Sequence, residues 1–537
     1  MLVPGYDGGS LADLPHALLT ALGVREPDTP PTPDALDTAP ATADALDTAH
    51  ASTTADAPDP AITPGAADDL DPATTPPTAD APDTASTPAP EAARDVANVP
   101  DPPAAPSTAA AHDATSLADA SRPEGGTGAV GPERGPGATG TASSPGAMGP
   151  PSTTRTPGTP VTAPMPDSAN TPGPTTWASA ATGAGVAAAS GGVGGVPLVL
   201  EPADRVCLFL VDGLGAELLR AHAEAAPFLS SLAGRTLTAG FPATTVTSLC
   251  SLGTGLTPGE HGMLGLTLAV PGTGHLFNCL RWTLPDGLTM DPEQWQPAPT
   301  VYQRATRAGL DAVYVAPAEF EGSGLTTAVY RGVRYVAADT VDDRVARVHE
   351  SMRQGAAYVT VYYGDLDAAG HMTGWGSEEW LRQLAIVDDM ARRLAEGLPP
   401  GSALYVTADH GMINATEKID AESVPGLTAG VALLGGEARA RHVYAEPGAA
   451  RDVLEAWRET LRGKAWVVSR REAVESGWFG PRVREQWLAR IGDVVAVPYT
   501  DLAIIAPTRH RIEALFTGYH GSMTAAEQYV PLLEART

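Results

Sequence analysis

Three short stretches of this chain are apolar at almost every position. Residues 206–211 read Val-Cys-Leu-Phe-Leu-Val, residues 358–363 read Tyr-Val-Thr-Val-Tyr-Tyr, and residues 404–408 read Leu-Tyr-Val-Thr-Ala. Runs of this length without polar alternation are what strands covered on both faces require. Around them the apolar period lengthens to that of a helix, over residues 215–223, 342–352 and 378–398. Strands alternating with helices predict an α/β fold, with a mostly parallel central sheet and helices on both faces. One more helix is expected within residues 1–25, where Leu11, Leu14, Leu18, Leu19 and Leu22 share a face. Ser10 is placed to cap it and Gly23 to end it. So short a helix is not stable alone, so it is expected to dock on the main domain.

The pattern disappears over residues 26–196. Ala, Pro, Thr, Asp and Gly dominate there, and no Phe, Tyr or Trp occurs between Tyr6 and Trp177. Asp-Ala-Leu-Asp-Thr-Ala occurs at 34–39 and again at 44–49, a repeat too short to be a structural unit. A segment with so few large apolar groups cannot offset a backbone entropy of about 1–2 kcal/mol per residue. A disordered low-complexity insertion is therefore expected at 26–196, followed by one large α/β domain over 197–537 with a cap or insert region at 414–509.

Net charge is −29, with 63 acidic against 34 basic residues. That argues against a partner such as duplex nucleic acid or an anionic membrane, each of which needs a basic face. Cys207, Cys250 and Cys279 form no CxxC and no even-numbered framework, which fits reduced thiols. The N-terminal residues lack a basic stretch followed by an apolar one, so no signal peptide is expected, and no apolar run is long enough to span a bilayer. A cytoplasmic location is the expectation. Oligomeric state is not legible.

The candidate chemistry lies where the three apolar runs end. Val211 is followed by Asp212-Gly213, Tyr363 by Gly364-Asp365-Leu366-Asp367 and then His371, and Ala408 by Asp409-His410-Gly411. In open α/β sheets, ligands bind beyond the carboxyl ends of the strands. One such aspartate alone is as readily a helix cap. Three carboxylates converging there need cations to neutralise them, and with His371, His410 and the later His520 they make a mixed Asp/His set suited to zinc and its neighbours.

That order, together with Phe241-Pro242-Ala243-Thr244-Thr245, resembles the alkaline phosphatase superfamily, and within it the type I phosphodiesterase/nucleotide pyrophosphatase family. The resemblance covers about residues 206–533. It implies an alkaline-phosphatase-like fold and two divalent metal ions, zinc or alternatively manganese. One would be held by Asp367, His371 and His520, the other by Asp212, Asp409 and His410. It implies Thr245 as nucleophile, with Thr244 as the internal competitor, and hydrolysis of a phosphodiester or pyrophosphate bond in a small phosphoester, a nucleotide among the candidates. Thr245 is also expected at a helix N-terminus, over residues 246–252, where backbone N–H groups favour an anion.

The sequence departs from the family pattern around the substrate. Val246-Thr247-Ser248 replaces Phe-Pro-Asn after the nucleophile, and the asparagine expected after the Pro258-Gly259-Glu260-His261-Gly262 turn is absent. Asn278 is the candidate replacement, and Trp282 or Trp295 is the candidate to stack on a base, with buried packing as the competing role. Arg441 is read as a surface residue, with phosphate contact as its alternative. The alternative activities are a phosphomonoesterase or phosphonate hydrolase on the same site, and, further off, an inactive scaffold presenting the acidic segment. A sulfatase needs Cys-x-Pro-x-Arg, which does not occur.

Overall fold

The computed structural model describes residues 1–24 and 197–537, except Asp286. The segment expected to be disordered, 26–196, lies outside the described residues.

The central sheet has seven strands, in the order Ala233–Thr238, Tyr529–Arg536, Ser402–Thr407, Arg205–Val211, Tyr358–Tyr363, Ala312–Ala316 and Arg334–Ala337. Tyr529–Arg536 alone runs against the others, being antiparallel to both of its neighbours. The strands expected from the apolar runs occupy the middle of the sheet, where both faces are covered. Every residue from Val206 to Val211 is buried, as is every residue from Ser402 to Thr407.

Register is what matters for the site. Val211 lies beside Tyr363, and Leu210 lies beside Thr407. Three adjacent parallel strands therefore end almost level, and the aspartates that follow them leave the sheet side by side.

The expected helices form at Ala216–Ala221, Val341–Arg353 and Glu378–Gly397. In the last, Ser377 caps the first turn by accepting from the N–H of Trp380. Trp380, Leu384, Val387, Ala391 and Leu394 turn one buried stripe to the core. The N-terminal helix spans Leu14–Ala21, not the expected stretch from Ser10. The N–H and hydroxyl of Ser10 both donate to Asp13 Oδ2, which closes a turn instead of opening the helix. Ser10 bridges Thr238 at the sheet edge, His16 Nε2 is 2.8 Å from Gly255 O, and Leu14, Leu18 and Leu19 are fully buried.

Residues 414–509 contain a second sheet, wholly antiparallel, in the order Val431–Glu437, Ala440–Ala445, Val494–Pro498 and Ala465–Ser469. The helix Ala450–Thr460 buries Val453 and Trp457 in a core shared with Leu434, Val443 and Ile504. Two arginines are buried as ion pairs here, one in the turn between the first two strands and one in the second strand. Arg439 meets Glu527 Oε2 at 2.6 Å, and Glu527 Oε1 accepts from Ser522 N, which steadies the loop after His520. Arg441 meets Glu513 Oε2 at 2.5 Å and donates to Ile504 O. The expectation of a surface Arg441 is corrected, because its guanidinium is enclosed and its charge is matched inside the fold.

Candidate metal centre

Asp212 and Gly213 turn the chain sharply out of the strand Arg205–Val211. Gly213 has φ +73°, and a Cβ there would lie 2.9 Å from Asp367 Oδ1, so only glycine lets the second aspartate approach. Asp367 and His371 stand four residues apart on one face of the helix Asp365–Thr373. Asp409 is fixed by two backbone donors, since its Oδ1 accepts from Gly213 N at 3.1 Å and from His410 N at 3.0 Å. His520 follows the short strand Gly518–Tyr519, which pairs with Ile413–Asn414.

These turns produce two groups of three. In each of the sets Asp367, His371, His520 and Asp212, Asp409, His410, one donor atom per residue lies within 4.8 Å of the others. The second set is buried throughout. The donor chemistry fits a cation in both. Nδ1 of His371, His410 and His520 faces a backbone carbonyl, of Gly518 at 2.9 Å, Gly411 at 3.0 Å and Ala243 at 3.0 Å. That arrangement fixes the ring tautomer and turns each Nε2 lone pair inward. The Nε2 atoms of His371 and His520 then meet at 3.2 Å, a contact that two lone pairs tolerate only with a proton or a cation between them. Asp212 Oδ1, Asp367 Oδ1 and Asp409 Oδ2 are buried and lack any hydrogen-bond partner. Burial, followed by the charges of Asp409 and Asp367, pushes the Asp212 carboxyl well above its ordinary range. A dication would relieve all three strains at once.

Thr245 is the first residue of the helix Thr245–Thr254, and no side chain caps that helix. The N–H groups of its first turn are free to face an anion. Thr245 Oγ1 is 3.2 Å from His410 Nε2 and half-open to a cavity of about 730 Å³ that also holds Asp212, Asp367, His371 and His520. Thr244, the competitor, is the N-cap residue and only 2% exposed. The helix runs through Gly253 and ends at Gly255, which is left-handed at φ +71°.

Asn278 lines the cavity, but its Oδ1 accepts from the N–H groups of Leu280 and Arg281 and so holds a turn. Trp282 is 4% exposed, donates to Met290 O and packs edge-on against Phe277, so its ring belongs to the core and not to the cavity wall. Trp295 is buried beneath the Arg490 guanidinium.

Sequence reasoning missed Tyr362, which it read only as a strand residue. Its hydroxyl donates to Asp212 Oδ2 at 2.5 Å. It also missed Phe516, stacked on His371 at 4.4 Å, and Glu437, whose buried Oε1 has no partner. Alternation in the strand Tyr358–Tyr363 was the available signal for Tyr362; nothing local marks the other two.

With this geometry in hand, comparison with known proteins is informative. A profile of the type I phosphodiesterase / nucleotide pyrophosphatase family matches residues 206–523. Ectonucleotide pyrophosphatase/phosphodiesterase family member 3 of Rattus norvegicus is 25% identical over 223 residues, 38% of this chain and 25% of that protein. The chain thus spans about a quarter of the length of that curated relative. Among solved structures, inactive murine ectonucleotide pyrophosphatase / phosphodiesterase 5 in complex with AMP matches with a TM-score of 0.50 and 18% identity, over 61% of this chain and 87% of that one. Phosphonoacetate hydrolase from Sinorhizobium meliloti in complex with phosphonoformate gives a TM-score of 0.48 and 20% identity, over 62% and 90%. The mostly parallel α/β sheet expected from the sequence is the one observed, and the phosphodiesterase 5 structure shares the fold.

Proposed function

This chain belongs to the type I phosphodiesterase / nucleotide pyrophosphatase family, and from that premise we propose that it hydrolyses a phosphodiester or pyrophosphate bond, with Thr245 as nucleophile and two divalent ions, zinc or manganese, held by the two Asp/His groups. The observation that carries the reading is the placement of the Thr245 hydroxyl. It stands at an uncapped helix N-terminus, 3.2 Å from His410 Nε2, in one cavity with both candidate ligand sets.

Asp367, His371 and His520 would hold one ion, and Asp212, Asp409 and His410 the other. When bound, such ions supply Lewis-acid chemistry that makes a neighbouring hydroxyl acidic and draws charge from phosphoryl oxygens. The chain supplies the rest. Tyr362 and the backbone donors to Asp409 orient the carboxylates. The first-turn N–H groups of Thr245–Thr254 face the phosphoryl oxygens as charge grows on them. Thr245 Oγ1 gives up its proton and attacks phosphorus, and the bond from phosphorus to the leaving oxygen breaks with its electron pair on that oxygen, which takes a proton. Water then attacks the phosphothreonine phosphorus, the bond from phosphorus to Thr245 Oγ1 breaks with its electron pair on Oγ1, and Oγ1 takes a proton as the water loses one. Phe320, half-buried in the cavity wall, offers flat apolar surface suited to a nucleobase, and so supports a nucleotide substrate.

The test is hydrolysis of bis-p-nitrophenyl phosphate with added zinc or manganese, wild type beside Thr245→Ala. Metal-dependent turnover that collapses in the variant is the expected result. Full activity in the variant removes Thr245 from the role, and an inactive, metal-loaded wild type removes the diesterase assignment.

A further inference from the structure

Six large apolar side chains are exposed among the described residues, and two of them, Leu515 at 69% and Met372 at 42%, border the cavity. The segments that carry them are bonded to each other. Thr517 N donates to His371 O at 2.6 Å, Thr517 Oγ1 donates to Met372 O at 3.2 Å, and Phe516 stacks on the His371 ring at 4.4 Å. Ile512 and Leu515 are three apart in the 3-10 helix Arg511–Leu515, so they share a face, and both line the cavity. Lys418 Nζ fastens the loop by donating to Ala514 O at 3.0 Å and Phe516 O at 2.6 Å. The lip is therefore fixed in place while its apolar side chains stay uncovered. A lone exposed leucine needs no explanation, but apolar side chains gathered on the rim of an active-site cavity make a surface for a ligand.

A row of rings places this lip relative to the nucleophile. Thr245 Oγ1 is 3.2 Å from His410, the His410 ring stacks on His520 at 3.7 Å, His520 lies 5.0 Å from His371, and His371 stacks on Phe516. Phe516 and its neighbours thus stand at the end of the row away from Thr245. An in-line displacement sends the leaving oxygen away from the attacking one, which in this row is the side of His371 and Phe516. Phe320 belongs to the other end, since it meets Tyr362 edge-on and Tyr362 bonds Asp212. The group kept on the phosphorus and the group that leaves therefore have separate apolar surfaces.

We propose that Met372, Ile512, Leu515 and Phe516 form the subsite for the leaving group, and that they select a phosphodiester whose leaving group is an apolar aryl or alkyl alcohol. Such a group gains by covering the lip, because apolar surface on both partners leaves water. A leaving pyrophosphate would instead give up hydration against side chains that offer it no hydrogen bond. The inference rests on the reading of Thr245 as the nucleophile in phosphodiester hydrolysis.

The experiment uses the full chain with zinc or manganese and two substrates that keep the same group on phosphorus. One is the 2-naphthyl ester of thymidine 5′-phosphate, and the other is thymidine triphosphate, which loses pyrophosphate. kcat/KM for each is compared in wild type, Leu515→Ser and Met372→Gln; both side chains are exposed, so neither change threatens the fold. Binding of 2-naphthol to the metal-free protein is followed in parallel by its fluorescence, in wild type and in the double variant. Each substitution is expected to lower the naphthyl-to-triphosphate ratio of kcat/KM by about tenfold, the loss of one covered apolar side chain, and naphthol affinity is expected to fall in the double variant. A ratio that the substitutions leave unchanged, or an unchanged naphthol affinity, overturns the subsite. Turnover of the triphosphate without turnover of the naphthyl ester in wild type overturns the subsite and leaves the chemistry standing. Turnover of neither removes the phosphodiesterase reading, and naphthol binding still decides the subsite.

Discussion

Tyr362→Phe tests whether the carboxylates are oriented as the site requires. The Tyr362 hydroxyl is the donor to Asp212 Oδ2, at 2.5 Å, while Asp212 Oδ1 accepts no hydrogen bond and lies 3.4 Å from His410 Nε2. Phenylalanine keeps the ring and its edge contact with Phe320, and removes only the donor. A hydrogen bond to an ionised, buried carboxylate contributes about 1.5–3 kcal/mol. Losing it leaves both oxygens of Asp212 without a hydrogen-bond donor, with only His410 Nε2 close to one of them, so the orientation is less fixed and the negative charge less well supported. Outer-shell partners of this kind change metal affinity by about 10- to 100-fold, which matches the energy. The assay is a zinc titration of chelator-treated protein against a chromophoric chelator. One site should weaken by about that factor. The Asp367–His371–His520 site serves as internal control, because Tyr362 bonds to none of its members. Two sites titrating as in wild type would refute the reasoning, and with it the placement of Asp212 in a metal shell.

Gly213→Ala should cost metal content before it costs the fold. The new methyl would sit 2.9 Å from Asp367 Oδ1 on a backbone at φ +73°, so the expected outcome is fewer than two bound equivalents by elemental analysis, with an unchanged far-ultraviolet spectrum. Two tightly bound equivalents in the variant would contradict the close approach. Glu437 gives a pH signature in the metal-free protein. Burial, the largest cause, raises its carboxyl from the ordinary 4.5 to about 8, with Glu513 adding to the rise and Arg441 and the Thr244 hydroxyl opposing it. A raised folded value means that its contribution to stability is complete below 4.5 and is lost as pH climbs through about 8. Glu437→Gln should therefore flatten the fall in urea midpoint between pH 5 and 8; an unchanged slope would show that Glu437 is not held neutral.

The two candidate ligand groups were legible because their parts are local. Each aspartate closes or follows an apolar run, and Asp367 and His371 carry helical spacing in plain view. The strand Ala233–Thr238 was not legible, since its first four residues are exposed and show no alternation. It exists because Tyr529–Arg536 pairs along it, with Leu533 packed where a Cβ on Gly234 would stand. Arg441 was misread for a related reason. Its ion-pair partner, Glu513, is 72 residues away, and no local pattern announces a charge that will be matched inside the fold. Trp282 was ambiguous because an indole serves a core and a base-stacking wall equally well by composition; the donation to Met290 O decides its place. Met372 and Leu515 border one cavity only after the last loop has folded back on the helix Asp365–Thr373.

The first helix sets the place where the chain re-enters the domain. Ala203 N donates to Ala21 O at 3.0 Å, so the chain that leaves the first helix returns to within one hydrogen bond of it. Ala21 and Ala203 are therefore neighbours in space although far apart in sequence. The entropy of closing a flexible loop rises only with the logarithm of its length, about 0.6 kcal/mol for each doubling. An insertion between two points so close would therefore cost the folding of the domain little.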